Sequence, residues 1–207
     1  MAVAAARAVC ILVLVLTAAP SADALLGDGC AQLSVSVPGL LDISLSSCLR
    51  VEAPLSGELV VDTASVAGDL IVDLGDVAAA SEGNATVSVS FPSLTAIGGT
   101  LHVVGTRADS VVQFAQLTAV GAVEVATGGS VAIEGLAAVT GDVSITGRVG
   151  RVAFPNLATV TGDIFARGSA AAGIVFARLA AVSGRVVVDV DAGGRLDLAL
   201  GAADGGR

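Results

Sequence analysis

The sequence predicts an all-β chain folded as a right-handed parallel β-helix, a solenoid with coils of about 20 residues. Three observations carry that expectation. One phrase recurs five times, as FPSLTAIGGTLHV, FAQLTAVGAVEV, IEGLAAVTGDVSI, FPNLATVTGDIFA and FARLAAVSGRVVV. Its anchors, Phe91, Phe114, Ile133, Phe154 and Phe176, follow one another at steps of 23, 19, 21 and 22 residues. Between them lie short, β-branched stretches cut by Gly, with poor helical periodicity.

Taken in order, the chain begins with an address. Residues 1–24 have the form of a secretory signal peptide. Arg7 supplies the positive region, CILVLVL the apolar centre, and Ala22-Asp23-Ala24 the small-x-small cleavage site. An uncleaved signal anchor is the alternative. No apolar run after residue 25 approaches the roughly 20 residues of a spanning helix, so no membrane span is expected in the mature chain. Cleavage removes Cys10 and leaves Cys30 and Cys48. An isolated pair in an oxidising compartment most often forms a disulfide, and a loop of this length is worth roughly 3 kcal/mol in the chain-entropy model. A zinc site would need further ligands that neither Cys has nearby.

Residues 25–54 are expected to cap the array. Leu33, Val35 and Val37 alternate with Ser34 and Ser36, the period of a half-buried strand. The repeat domain is assigned to 55–200 and a tail to 201–207. At its start, Leu55-Ser56-Gly57 and Val66-Ala67-Gly68 both read as the Gly-turn half of the phrase, yet they stand only 11 residues apart. The next copy comes 31 residues later, after an Ala-, Ser- and Gly-containing stretch that reads as a bulging loop. That loop carries Asn84-Ala85-Thr86, an N-glycosylation sequon. At the other end, Leu196-Asp197-Leu198 reads as a last half coil or as part of a longer array.

Within one regular coil the phrase divides into columns. The anchor points inward. Leu94, Leu117, Leu136, Leu157 and Leu179 fill the interior, as do Ile97, Val120, Val139, Val160 and Val182. Gly99, Gly141, Gly162 and Gly184 turn the chain, through positive φ or close packing. The following strand alternates, with Leu101/Val103, Val143/Ile145, Ile164/Ala166 and Val186/Val188 facing in. Like residues should stack on like, about 4.8 Å apart.

FPSLTAIGGTLHV and FPNLATVTGDIFA resemble the receptor L-domain repeat. They are also similar to the repeats of fungal GPI-anchored cell-wall proteins of the sporulation-specific type. The resemblance covers residues 91–190 well and 37–72 loosely. It implies an L-domain-like solenoid at the cell surface or cell wall, with a ligand-binding or wall-integrity role.

The chemistry-bearing residues are few. Trp, Tyr and Lys are absent, and the formal net charge is −9. A nucleic-acid backbone is an improbable partner for such a chain. Nine acids stand against Arg50 alone between Leu25 and Glu82; they either keep an apolar chain soluble or attract a cationic partner. His102 is the single His, so neither a Ser-His-Asp arrangement nor a multi-His metal site can be assembled. After the Gly come Glu58, Asp69, Thr100, Asp142, Asp163 and Arg185, one outward column. Carboxylates stacked there either bind something or sit solvated at turns. The outward column of the next strand reads Ile71, His102, Glu124, Ser144, Phe165, Val187. Its apolar members, Phe165 and Val187 beside Ser144, either mark a contact patch or pack under a loop.

The expected function is a secreted or cell-surface β-solenoid that binds or adheres without catalysis, its partner an extracellular protein or glycan. No catalytic residue, metal or cofactor is assigned. A carbohydrate-active enzyme and a structural wall or matrix component are the alternatives.

Overall fold

The computed structural model describes residues 31–34, 39–42, 48–53, 57–75, 86–190 and 196–198. All regular structure among them is β, and every strand pairing is parallel. The strands stack as a solenoid of about six turns of roughly 22 residues. Parallel pairing follows from the repeat itself. Equivalent segments one coil apart run the same way, and each inherits the next one's register.

Three stacks of strands wall the coil. The first contains β1 (Ala31–Ser34), β3 (Leu49–Glu52), β6 (Leu70–Asp73), the later parts of β8 (Ala96–Gly105) and β10 (Ala119–Thr127), the starts of β13 (Val143–Phe154) and β15 (Ile164–Phe176), and β17 (Val186–Val190). The second contains β2 (Gly39–Asp42), β4 (Gly57–Asp62), β7 (Val87–Phe91), β9 (Ser110–Phe114), β11 (Ser130–Ile133), the ends of β13 and β15, and β18 (Leu196–Leu198). A narrow third stack joins β5 (Ser65–Val66), the starts of β8 and β10, β12 (Ala138–Val139), β14 (Thr159–Val160) and β16 (Ala181–Val182).

The inward columns are as the phrase predicts. Leu49, Leu70, Leu101, Val123, Val143 and Ile164 follow in register and are at most 1% exposed. Phe91, Phe114, Ile133, Phe154 and Phe176 form the anchor column, every one fully buried. Phe91 stacks on Phe114 with ring centroids 4.8 Å apart, and Phe154 on Phe176 at 5.1 Å. Ile133, without a ring, separates the two stacks.

One expectation changes, and for the turn glycines one of the two expected reasons holds. Leu55 and Ser56 lie outside the described residues, and Gly57 does not begin a Gly-turn strand. Gly57 opens β4, which lies beside β7, so Val61 continues the anchor column one coil before Phe91. The 11-residue spacing therefore separates two walls of one coil, and Glu58 leaves the column that holds Asp69. The turn glycines follow the close-packing alternative. None of Gly99, Gly121, Gly141, Gly162 and Gly184 has a positive φ. Close packing requires them instead: a Cβ on Gly121 would lie 2.5 Å from the Gly99 carbonyl oxygen, and one on Gly162 2.6 Å from that of Gly141. Positive φ occurs instead at the following corner, at Gly75, Gly105, Gly147 and Gly168, and at Gly57 and Gly173 on the way into the second stack.

The segment expected to cap the array contributes β1, β2 and β3, which stack in the same parallel register as the later coils. Cys48 is buried and disulfide-bonded. Cys30, Asn84, the segment 1–24 and the tail 201–207 lie outside the described residues.

Candidate contact surface

Alternation along the first stack directs one side chain in two to the outside. The register then assembles those side chains into columns. Ile71, His102, Glu124, Ser144, Phe165 and Val187 occupy successive rungs, as the sequence predicts. Arg50 precedes them on the rung below Ile71. A second outward column, two residues on, holds Glu52, Asp73, Val104, Ala126, Thr146, Arg167 and Asp189. Together they make a flat face one coil pitch per row.

Polar contacts concentrate in its earlier coils. The Arg50 guanidinium donates to Asp73 at 2.6 Å, and its Nε lies 3.7 Å from Glu52, beyond hydrogen-bond reach. His102 Nδ1 lies 2.9 Å from Glu124 Oε2, so the single His contacts a carboxylate of the next coil. Toward the C-terminal coils the column turns apolar. Phe165 lies between Ser144 and Val187, half-buried, while the other four Phe are fully buried in the core.

The carboxylates beside the Gly corner have a structural task that sequence reasoning missed. Asp69 Oδ1 accepts the backbone N–H of Thr100 at 2.7 Å. Asp142 accepts that of Asp163, and Asp163 that of Arg185, each at 2.7 Å. Each Asp thus reaches across one coil to a backbone donor where the strand ladder breaks. The same reach explains the glycines. A Cβ on Gly99, Gly162 or Gly184 would overlap the carboxylate of Asp69, Asp142 or Asp163 respectively. Gly and Asp are coupled one coil apart, and the Thr-Gly-Asp phrase records that coupling. Asp163 is held below the usual carboxylate range, first by the Arg185 N–H and further by the Arg185 guanidinium 3.3 Å away.

Among the described residues no three His, Cys, Asp or Glu come together as a metal-binding group. No helix among them is long and apolar enough to cross a membrane. Arg107, unremarked in the sequence, is buried at the turn between β8 and β9, where its carbonyl accepts the Ser110 hydroxyl at 2.8 Å. Comparison with protein-family models, curated proteins and solved structures found no match.

Proposed function

We propose that this chain is a secreted or cell-surface, L-domain-like solenoid that binds an extracellular protein or glycan without catalysis. The patch formed by Ser144, Phe165 and Val187 makes the contact. The observation that carries the reading is the position of Phe165: it alone of five Phe stands outside the core, on a flat face, between a hydroxyl and an aliphatic neighbour. A large apolar side chain held there at the cost of exposure to water suits a contact better than a fold. The Asp column supports the non-catalytic part of the reading. Asp142 and Asp163 already accept backbone N–H groups, so an acid–base pair there would have to give up those bonds.

The address belongs to the same proposal. Residues 1–24 direct secretion, Cys30 pairs with Cys48, and Asn84 carries a glycan. Mass spectrometry of the secreted chain, with and without reduction and deglycosylation, checks all three. For binding, the immobilised chain is presented to a glycan array and to extracellular protein libraries. Phe165→Ala is expected to weaken any specific binder at least tenfold while leaving the fold intact. Binding that survives Phe165→Ala unchanged would remove the patch from the proposal. Silence across both libraries would favour a structural wall or matrix component.

A further inference from the structure

Charge is segregated along the solenoid. From 143 to 188 the chain carries Arg148, Arg151, Arg167, Arg178 and Arg185 against Asp163 alone, although its net charge is −9. Acids outnumber basic residues 19 to 10 overall, so an arginine should find a carboxylate more readily than the reverse. Arg50 and Arg185 do, at Asp73 and Asp163. Arg148, Arg151 and Arg167 do not. Each is exposed, and none forms an ion pair among the described residues.

The register gathers these three at one corner. Thr146 faces Arg167 on the adjacent rung, and Gly147 faces Gly168, both glycines with positive φ. Arg167 enters that corner from the first stack. Arg148 leaves it one coil earlier, and Arg151 follows where β13 joins the second stack. The coil before brings no acid to the corner, since 125–133 reads VATGGSVAI. Phe165 lies two residues before Arg167 on the same outward side, with Ser144 and Thr146 on the preceding rung. Asp189 faces Arg167 on the following rung without pairing to it. Guanidinium groups, an apolar ring and two hydroxyls thus share one edge of the flat face.

We propose that this edge binds a polyanionic glycan, a chain of sugars bearing carboxylate or sulfate groups. Arg148, Arg151 and Arg167 take the anionic groups, and Phe165 lies against a sugar ring. The role of Phe165 rests on its being the contact residue proposed above; the arginines set the class of ligand. A guanidinium presents paired donors that match a carboxylate or two oxygens of a sulfate. The face of the Phe165 ring suits sugar C–H groups, and Ser144 and Thr146 offer partners to sugar hydroxyls. Arginines on successive coils fit an anion repeated along a polymer better than a single small anion. Asp189 repels such a chain from the following rung and directs it toward Arg148.

Titration of the full chain with dextran sulfate, polygalacturonate and uncharged dextran tests this. Binding to at least one polyanion, weakened by added salt, is expected, and none to dextran. Arg148→Gln with Arg167→Gln should weaken it by about tenfold or more. Arg178→Gln, beyond the far end of β15, removes the same charge elsewhere and should change it by less than about twofold. Binding to neither polyanion would overturn the proposal, as would equal losses in the corner and Arg178 variants. Dextran bound through Phe165 alone would overturn the polyanion class and leave the contact patch standing. Polyanion binding that needs the arginines but survives Phe165→Ala would keep the anion site and remove Phe165 from it. Polyglutamate held as tightly as the polysaccharides would overturn the glycan and point to an acidic protein.

Discussion

Ile164 and Val186 occupy the same inward column one coil apart, yet one is 1% exposed and the other 46%. Both are β-branched, both sit on parallel strands, and both follow the same Gly corner. What differs is the cover: β17 lies over Ile164, while among the described residues no strand pairs with the far edge of β17. Burial in a solenoid is conferred by the next coil rather than by the residue's own strand, so identical phrases have different energetic weight at the middle and at the end.

Substitutions down these columns sharpen the contrast. Phe114→Ala removes a ring stacked on Phe91 at the closed middle and should cost about 3–5 kcal/mol in denaturant unfolding. Ile164→Ala should cost about 2–5 kcal/mol by the same mechanism. Val186→Ala, at a side chain 46% exposed, should stay within about 0.5 kcal/mol. Equal losses at 164 and 186 would break the comparison.

The Gly–Asp corner gives a smaller effect. Gly162→Ala forces a Cβ against the Gly141 carbonyl and the Asp142 carboxylate, and should cost about 1–3 kcal/mol by overpacking. Asp142→Ala deletes only the hydrogen bond to the Asp163 N–H and should cost about 0.5–1.5 kcal/mol. In the double variant the carboxylate clash is gone, so the two costs should sum to more than the pair removes. The smallest effect is titration of Asp163. Its folded pKa is depressed, so its contribution is complete above the ordinary carboxylate pKa near 4 and is lost as pH falls through the folded value. Asp163→Asn should flatten that part of the urea midpoint's acid limb.

Most of the array was legible because a solenoid writes one coil many times. Anchor, Leu and Val columns could be aligned by eye, and the structure keeps them. The misplaced element was Leu55-Ser56-Gly57, which copies the Gly-turn phrase locally, whereas Gly57 opens a strand of the anchor wall. A short phrase of aliphatic, small residue and Gly does not distinguish the two walls; only the register with Val87 does. The positive-φ corner went unread although its signal was present. Gly105, Gly147 and Gly168 each follow a turn Gly by six residues. On the outer face, the neighbours of Phe165 could be listed from the repeat. The Asp-to-backbone reach could not, because the Thr-Gly-Asp phrase shows that Gly and Asp recur together but not that the carboxylate meets a main-chain donor one coil away.

The central claim is that outward residues one coil apart are direct neighbours in register. Paired cysteines test it most directly. Ser144→Cys with Phe165→Cys places two thiols on adjacent rungs, about 4.8 Å apart at the backbone, within disulfide range. Thr146→Cys with Phe165→Cys sets them two residues out of register and beyond that range. The account predicts rapid closure of the first pair and none of the second under the same oxidant. Closure of the second in preference to the first would mean that the coils stack in a different register, and the contact face would have to be redrawn.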